Sequence, residues 1–347
     1  MSVEITLYTK KATKNGLTRL LDENGFQKVD HVLEEMNNEN NLHYMWFGFE
    51  NHESNVGVEA TVIKIDDSNK KEYKCSDWIL HTRTRAGGTY EDKAKQNDII
   101  RIARKQFGGS FYNDWYGTNR YTNLDDYEKL QPHEKAVFNI KENAFEKLNQ
   151  IINCLDGYKN PMSEHLQSIG DDMLGKLLKT KDPSITLYNG LIPFLVSVIE
   201  YFFGETFVNF ITYDSSARDL VVDEKLKIGV LEVVKIQNKE TSLERIISET
   251  YNFQNLESIN KAYKKYLKMD VFAILSKRKK VNGKIFRVLT KLEKLVDSRH
   301  KIIHDLEFNI DLTKEDYITY VKTVEMTIEM IIDELKKKKN LKIEMYK

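Results

Sequence analysis

Three residues near the C-terminal end are of the types that cut a phosphodiester. In Val296-Asp297-Ser298-Arg299-His300-Lys301-Ile302-Ile303-His304-Asp305, an Arg and a His are separated by four residues, and a second His directly follows the Arg. An Arg offers a forked, permanently charged donor to a phosphoryl oxygen, and a His titrates near neutrality. Together they suit acid/base cleavage of a phosphodiester without a metal. The nucleophile would be the 2'-hydroxyl of RNA itself.

A helix has to position them. Ile285, Val288, Leu289, Leu292, Leu295 and Val296 recur at three- and four-residue intervals, and Ile302 and Ile303 continue the series, which predicts one helix over Lys284 to His304 with one apolar face. Arg299 falls on that face. An unpaired guanidinium in an apolar seam is costly, so Arg299 must find a carboxylate, an anion, or an opening such as a cleft or a subunit interface. In a regular α-helix five positions rotate a side chain by ~500°, which leaves Arg299 and His304 roughly 140° apart, whereas His300 and His304 share a face. Arg299 and His304 could meet at one phosphate if the helix ended near Ile303, or if two copies faced each other across a dimer. Two other readings use the same residues. Arg299 could pair with a buried acid such as Glu200 while His304 caps the helix end. His300 and His304 could instead be zinc ligands, but Lys301 stands where the HExxH pattern needs Glu, and no third ligand is evident.

The preceding chain changes character midway. Ile5–Tyr8 reads as a strand, followed by helical patterns at Leu17, Leu20, Leu21 and at Val29, Val32, Leu33, Met36. Leu42–Phe49, Val56–Ile65 and Tyr73–Arg85 read as antiparallel sheet, with a turn at Asp66-Asp67-Ser68-Asn69. Tyr90–Phe107 returns to helical spacing closed by Gly108, Ser110–Tyr121 fits no regular pattern, and His133–Leu155 is helical. Helices are then predicted at Ser163–Leu178, Ile185–Phe207 and Leu243–Leu267, with Leu220–Ile236 an ambiguous run that could be strand. Thr313 and Asp316 form a capping box opening a last helix through Tyr317, Val321, Val324, Ile328, Ile331 and Leu335. The fold class is therefore α+β: a mixed α/β domain over 1–160 with antiparallel strands, then an all-helical domain over 161–347.

Composition bounds the rest. At 347 residues the chain exceeds the size of one core, and 53 basic against 53 acidic side chains exclude a globally basic nucleic-acid binder but not a local patch. Two cysteines, Cys75 and Cys154, offer no thiolate metal site and fit a reducing compartment. The N-terminus lacks the apolar core of a secretory signal, and the most hydrophobic run, Leu191–Phe203, is shorter than the ~20 residues that span a bilayer, so a cytoplasmic protein with no membrane partner is expected. In the first half, His81, Arg83 and Arg85 alternate on one strand face. Arg101, Arg104, Lys105 and Arg120 lie around Phe111, Tyr112, Trp115, Tyr116 and Tyr121. Cations interleaved with stacking surfaces suit RNA or a nucleotide, which makes Arg83, Arg85, Arg120 and Trp115 candidate binding residues. A solvated strand face beside an aromatic minicore would look the same, and no glycine-rich phosphate loop backs the ligand reading.

Arg299 to His304, RHKIIH, resembles the motif of the HEPN superfamily, in which an Arg, four to six intervening residues and a His are often joined by a polar residue after the Arg. His300 stands where the family commonly has Asn. Leu243–Leu267 is similar to the helix and connector that precede the motif in HEPN proteins of toxin and phage-defence systems, and the resemblance covers about residues 185–335. It implies a helical bundle that dimerises, builds a composite active site from two motifs, and cuts single-stranded or loop RNA without metal or cofactor, leaving a cyclic phosphate. Arg299 would neutralise the scissile phosphate, His304 would act as general acid or base, and His300 would orient or assist. The expected setting is a bacterial abortive-infection or toxin system, with RNA as substrate, tRNA among the candidates, and a phage-derived or antitoxin trigger. The alternative is a non-catalytic regulator that binds RNA or protein through the same bundle.

Overall fold

The computed structural model describes residues 2–30, 38–159, 177–178, 180–222 and 227–344. The chain divides into two compact units, Met1–Lys135 with Lys342–Lys347, and Ala136–Leu341. The helical patterns expected at Val32, Leu33 and Met36, and over most of Ser163–Leu178, fall outside the described residues.

The first unit is a seven-stranded antiparallel sheet with helices on one face. Its strands are β1 (Val3–Tyr8), β2 (Gln27–Val29), β3 (Asn41–Trp46), β4 (Val58–Lys64), β5 (Trp78–Thr84), β6 (Ser110–Asn113) and β7 (Gly117–Thr118), in the order β2-β3-β4-β5-β1-β6-β7. Val29, expected in a helix, therefore ends a strand, and Ser110–Tyr121, which fitted no pattern, supplies the β6–β7 edge. Alternation along β1, β4 and β5 buries Val3, Ile5, Leu7, Val58, Ala60, Val62 and Leu80 under α1 (Lys14–Glu23) and α3 (Tyr90–Phe107). Gln96, fully buried on α3, donates from Nε2 to the carbonyls of Val3 and Thr82 and accepts from Thr84 Oγ1, so one amide ties the helix to two strands. Gly109 has to be glycine: at φ 111° a Cβ would lie 2.1 Å from the Tyr8 carbonyl oxygen, where the chain turns from α3 into β6. The turn expected between β4 and β5 is a short helix, α2 (Asp67–Tyr73), because the Asp66 carboxylate accepts from Asn69 N–H and caps it.

Among the described residues, the regular structure of the second unit is helical except for one hairpin. The helix expected over His133–Leu155 is α4 (Pro132–Gly157). Most of it belongs to this unit, so the division falls at Lys135 rather than near residue 160: Asn143 Nδ2 donates to Tyr201 Oη at 3.2 Å, and Lys314 Nζ lies 2.9 Å from Asp156. The central helix α5 (Pro183–Tyr213) has 31 residues, longer than the apolar run in the sequence suggests. By length and composition it could cross a membrane, yet half of its most apolar window is buried inside the unit. Phe207, on α5, is packed by the rings of Tyr251, Phe253, Tyr263 and Tyr266, with centres 5.3 to 6.5 Å away.

The described residues of the ambiguous run Leu220–Ile236 contain no strand: they include the end of α6 (Ser215–Val222) and most of α7 (Val230–Gln237). Leu243–Leu267 is broken into α8 (Leu243–Glu249), α9 (Leu256–Ala262) and a π-helical turn at Tyr263–Leu267. After α10 (Val271–Leu275) comes a hairpin of β8 (Arg278–Val281) and β9 (Lys284–Arg287), then α11 (Val288–His300), a π-helical turn (Lys301–Asp305), and α12 (Lys314–Lys339). Ile285 is thus a strand residue, 70% exposed, rather than the start of a helix face. Thr313 caps α12 by accepting from Asp316 N–H, and all six apolar residues expected to face the core from α12 are buried.

Candidate functional site

Helix α11 is fixed by Val288, Leu292 and Leu295, each fully buried, and it packs on α5 and α12. Its regular pitch ends at His300. Over Lys301–Asp305 the backbone widens into a π turn, the Leu306 N–H donates to the Lys301 carbonyl, and Leu306 takes the left-handed conformation at φ 53°. In a π turn the hydrogen bond spans five residues rather than four, so positions five apart move toward a common face. The wider turn therefore narrows the roughly 140° separation of Arg299 and His304 that a regular helix imposes. Such turns occur often at functional sites.

The structure brings His300 and His304 together, with ring centres 4.6 Å apart and planes tilted by 44°. Both rings are exposed, and Arg299 is half-buried one position before them. Among the described residues Arg299 has no carboxylate partner. Glu200 is engaged elsewhere, accepting from Gln254 Nε2 at 2.8 Å, so the expected structural pairing does not form. Among the described residues no group of three or more His, Cys, Asp and Glu is placed to hold a metal ion, and the His300–His304 pair stands without a third ligand. The arrangement thus offers a forked cation beside two accessible imidazoles, which can present one proton acceptor and one proton donor to the same phosphate.

The segment after the motif is held by an interaction that sequence reasoning missed. Asn189, buried on α5, donates from Nδ2 to the Asn309 carbonyl at 3.0 Å and accepts from the Asn309 N–H at 2.9 Å. One side-chain amide thereby satisfies both backbone groups of a loop residue 120 positions away. A cavity of about 340 Å³ lies beside it, walled by Asn189, Ser298, Lys301, Ile302, Phe308 and Asn309 among others. The sequence signal was one polar residue among several in a largely apolar helix, and nothing in its spacing singled it out.

The four candidate residues of the first unit do not form one cluster. Arg83 and Arg85 project from the sheet face opposite the helices and, with His43, Thr61 and His81, line a cavity of about 440 Å³. Both are answered by acids: Arg83 Nε lies 3.3 Å from Glu4 Oε1, and Arg85 Nε lies 2.5 Å from Glu59 Oε1. Burial holds the His81 imidazole below its ordinary pKa, only partly offset by Glu4. Arg120 and Trp115 are not among the walls of this cavity; they sit at the β6–β7 edge, where Trp115 Nε1–H donates to the Ser2 carbonyl. Nearby, Arg101 and Arg104 lie over the rings of Tyr121 and Phe111. These internal contacts use much of the charge and ring surface that the sequence offers to a ligand.

Comparison with known proteins finds one family. The model of the RiboL-PSP-HEPN family matches residues 172–337, and the N-terminal half matches no family model. No curated protein and no solved structure matches the chain. With RHKIIH inside the matched span and helices on both sides of it, this chain carries a HEPN domain over residues 172–337.

Proposed function

We propose that the protein is a metal-independent endoribonuclease whose HEPN domain cleaves RNA by attack of the 2'-hydroxyl on the adjacent phosphorus. HEPN domains often act as ribonucleases, and the observation that carries the reading is Arg299, without a carboxylate partner among the described residues, next to the paired rings of His300 and His304. In the reaction one imidazole accepts the proton of the 2'-hydroxyl, the new O2'–P bond forms, and the P–O5' bond breaks. A protonated imidazole supplies the proton that leaves with the 5'-oxygen, and a cyclic phosphate remains. Arg299 binds the two non-bridging oxygens and neutralises the charge that grows on them.

A second copy of the chain completes the site in this reading. Ile303, Leu306, Phe308 and Ile310 are all exposed around the motif, Leu306 at 81%, and an apolar surface of this kind is better accounted for by a partner than by water. The biological setting that best fits is a cytoplasmic bacterial toxin or abortive-infection system. The first unit would then act as a sensor for a phage-derived or antitoxin trigger, with tRNA a prime candidate substrate. The test is incubation of the purified protein with total RNA and with tRNA in EDTA, beside the Arg299→Ala/His304→Ala variant. Discrete fragments ending in cyclic phosphate, from the parent alone, are the expected result. Intact RNA in both, with RNA retained by the parent, would assign the domain to binding instead.

A further inference from the structure

The hairpin before the motif helix carries charge that its own unit does not answer. From Lys277 to Arg287 the chain reads KRKKVNGKIFR, six cations and no acid. Asn282 and Gly283 have φ of 47° and 77°, the two positive values of a tight type I' turn, whose twist matches that of the strands it joins. The register pairs Arg278 with Arg287, Lys279 with Phe286, Lys280 with Ile285 and Val281 with Lys284.

Alternation sorts these side chains onto two faces. Val281 is buried and Phe286 half-buried on the inner face, and Asn282 Nδ2 donates to Thr319 Oγ1 of α12 at 3.2 Å, which fixes the hairpin to the bundle. The outer face presents Arg278, Lys280, Ile285 and Arg287, all exposed. Arg278 stands directly opposite Arg287, and like charges in that relation destabilise an antiparallel pair. None of these three cations has a carboxylate partner among the described residues. A hairpin selected only for solubility would alternate signs across the strands; one held in a single sign is relieved by a polyanion.

Strand β9 is followed directly by α11, so this face and the motif stand at opposite ends of one helix. Arg287 precedes Arg299 by twelve residues, a distance of about 18 Å along a helix at ~1.5 Å per residue. At ~3.4 Å per nucleotide of a stacked strand, that is about five nucleotides. We propose that the outer face of the β8–β9 hairpin, through Arg278, Lys280 and Arg287, binds the phosphodiester backbone of the RNA about five nucleotides from the bond to be cut. The face carries cations and one aliphatic side chain but no aromatic ring, so it holds backbone and does not select bases. The assignment of the strand as substrate rests on the ribonuclease reading; the phosphate contact does not.

The experiment uses the full-length His304→Ala protein, which keeps the probe intact, and a fluorescently labelled single-stranded RNA, with anisotropy followed across a salt series. Adding Arg278→Ala/Lys280→Ala/Arg287→Ala should lower the slope of log affinity against log salt by about 2, at ~0.7 per phosphate contact, and weaken binding by on the order of a hundredfold at about 0.1 M salt. The Arg278→Lys/Arg287→Lys variant should retain the parent slope, which separates charge from damage to the fold. An unchanged slope in the alanine variant overturns the proposal. So does a hairpin-dependent affinity for poly-glutamate or for anionic vesicles that exceeds the affinity for RNA. Hairpin-dependent RNA binding by a parent that never cleaves would keep the phosphate face and remove the ribonuclease, whereas cleavage with a hairpin-independent slope would do the reverse.

Discussion

The rings of His300 and His304 are in contact, 4.6 Å between centres, across one turn that lies where α-helix gives way to π turn. If His304 is the general acid or base and His300 assists, replacing each by Ala should rank them. Single-turnover cleavage by His304→Ala should fall by ~10²-fold or more, and His300→Ala should cost less. The opposite ranking would transfer the proton-transfer role to His300.

Asn189→Ala would remove both hydrogen bonds to Asn309 and leave two backbone groups of the loop after the motif without their partner. The expected loss is roughly 1 to 3 kcal/mol. Hydrogen exchange at the Asn309 amide should quicken by a matching factor, and an unchanged exchange rate would show that the clamp contributes nothing.

Phe207 is fully buried among four aromatic rings that join α5 to the connector and π turn preceding the hairpin. Phe207→Ala should destabilise the helical unit by about 3 to 5 kcal/mol in denaturant melts, through lost contact and the cavity left behind. A loss below about 1 kcal/mol would mean that the neighbouring rings collapse into the space.

Lys93 gives the first unit an alkaline signature. It is fully buried, donates to the Thr84 carbonyl, and burial pulls its pKa from 10.5 to about 8. Between those two values the unfolded chain binds a proton that the folded unit has released, so stability rises with pH across that window. At pH 7 both states are protonated, and the buried charge costs about 3 kcal/mol. Lys93→Met should therefore stabilise the unit by up to that amount near neutrality, with the advantage over the parent fading toward pH 10.5. A constant difference across the range would show that the Lys93 ammonium is already well solvated.

Local signals were the legible ones. The capping box of Thr313 and Asp316, the six buried apolar residues of α12, and the closure of α3 at Gly108 each depend on neighbours a few positions away, and each lies where the sequence indicates. RHKIIH could be read for the same reason. What failed was continuity. Ile285 and Val288 carry a helical interval across a strand–helix junction, so the period alone ran the helix back over β9. The Asn282-Gly283 dipeptide was the contrary signal, since it sets two positive φ values and marks a hairpin. Leu243–Leu267 likewise looks like one amphipathic helix, but Asn255 caps a new one. The sheet order, with the first strand between β5 and β6, and the clamp of Asn189 on Asn309 both join residues far apart in the chain, and no spacing rule reports such contacts.

The π turn at Lys301–Asp305 makes pitch and residue count interchangeable at this site. Five positions along the wider coil do the work of about four along an ordinary one, so the turn acts as a spacer that absorbs one residue between the cation and the second imidazole. A shorter motif on an unbroken α-helix, or a longer one on a looser coil, would present the same groups to a phosphate. The chemistry then depends on the angle through which the backbone carries the side chains, and the number of letters between Arg299 and His304 is only one way to set that angle.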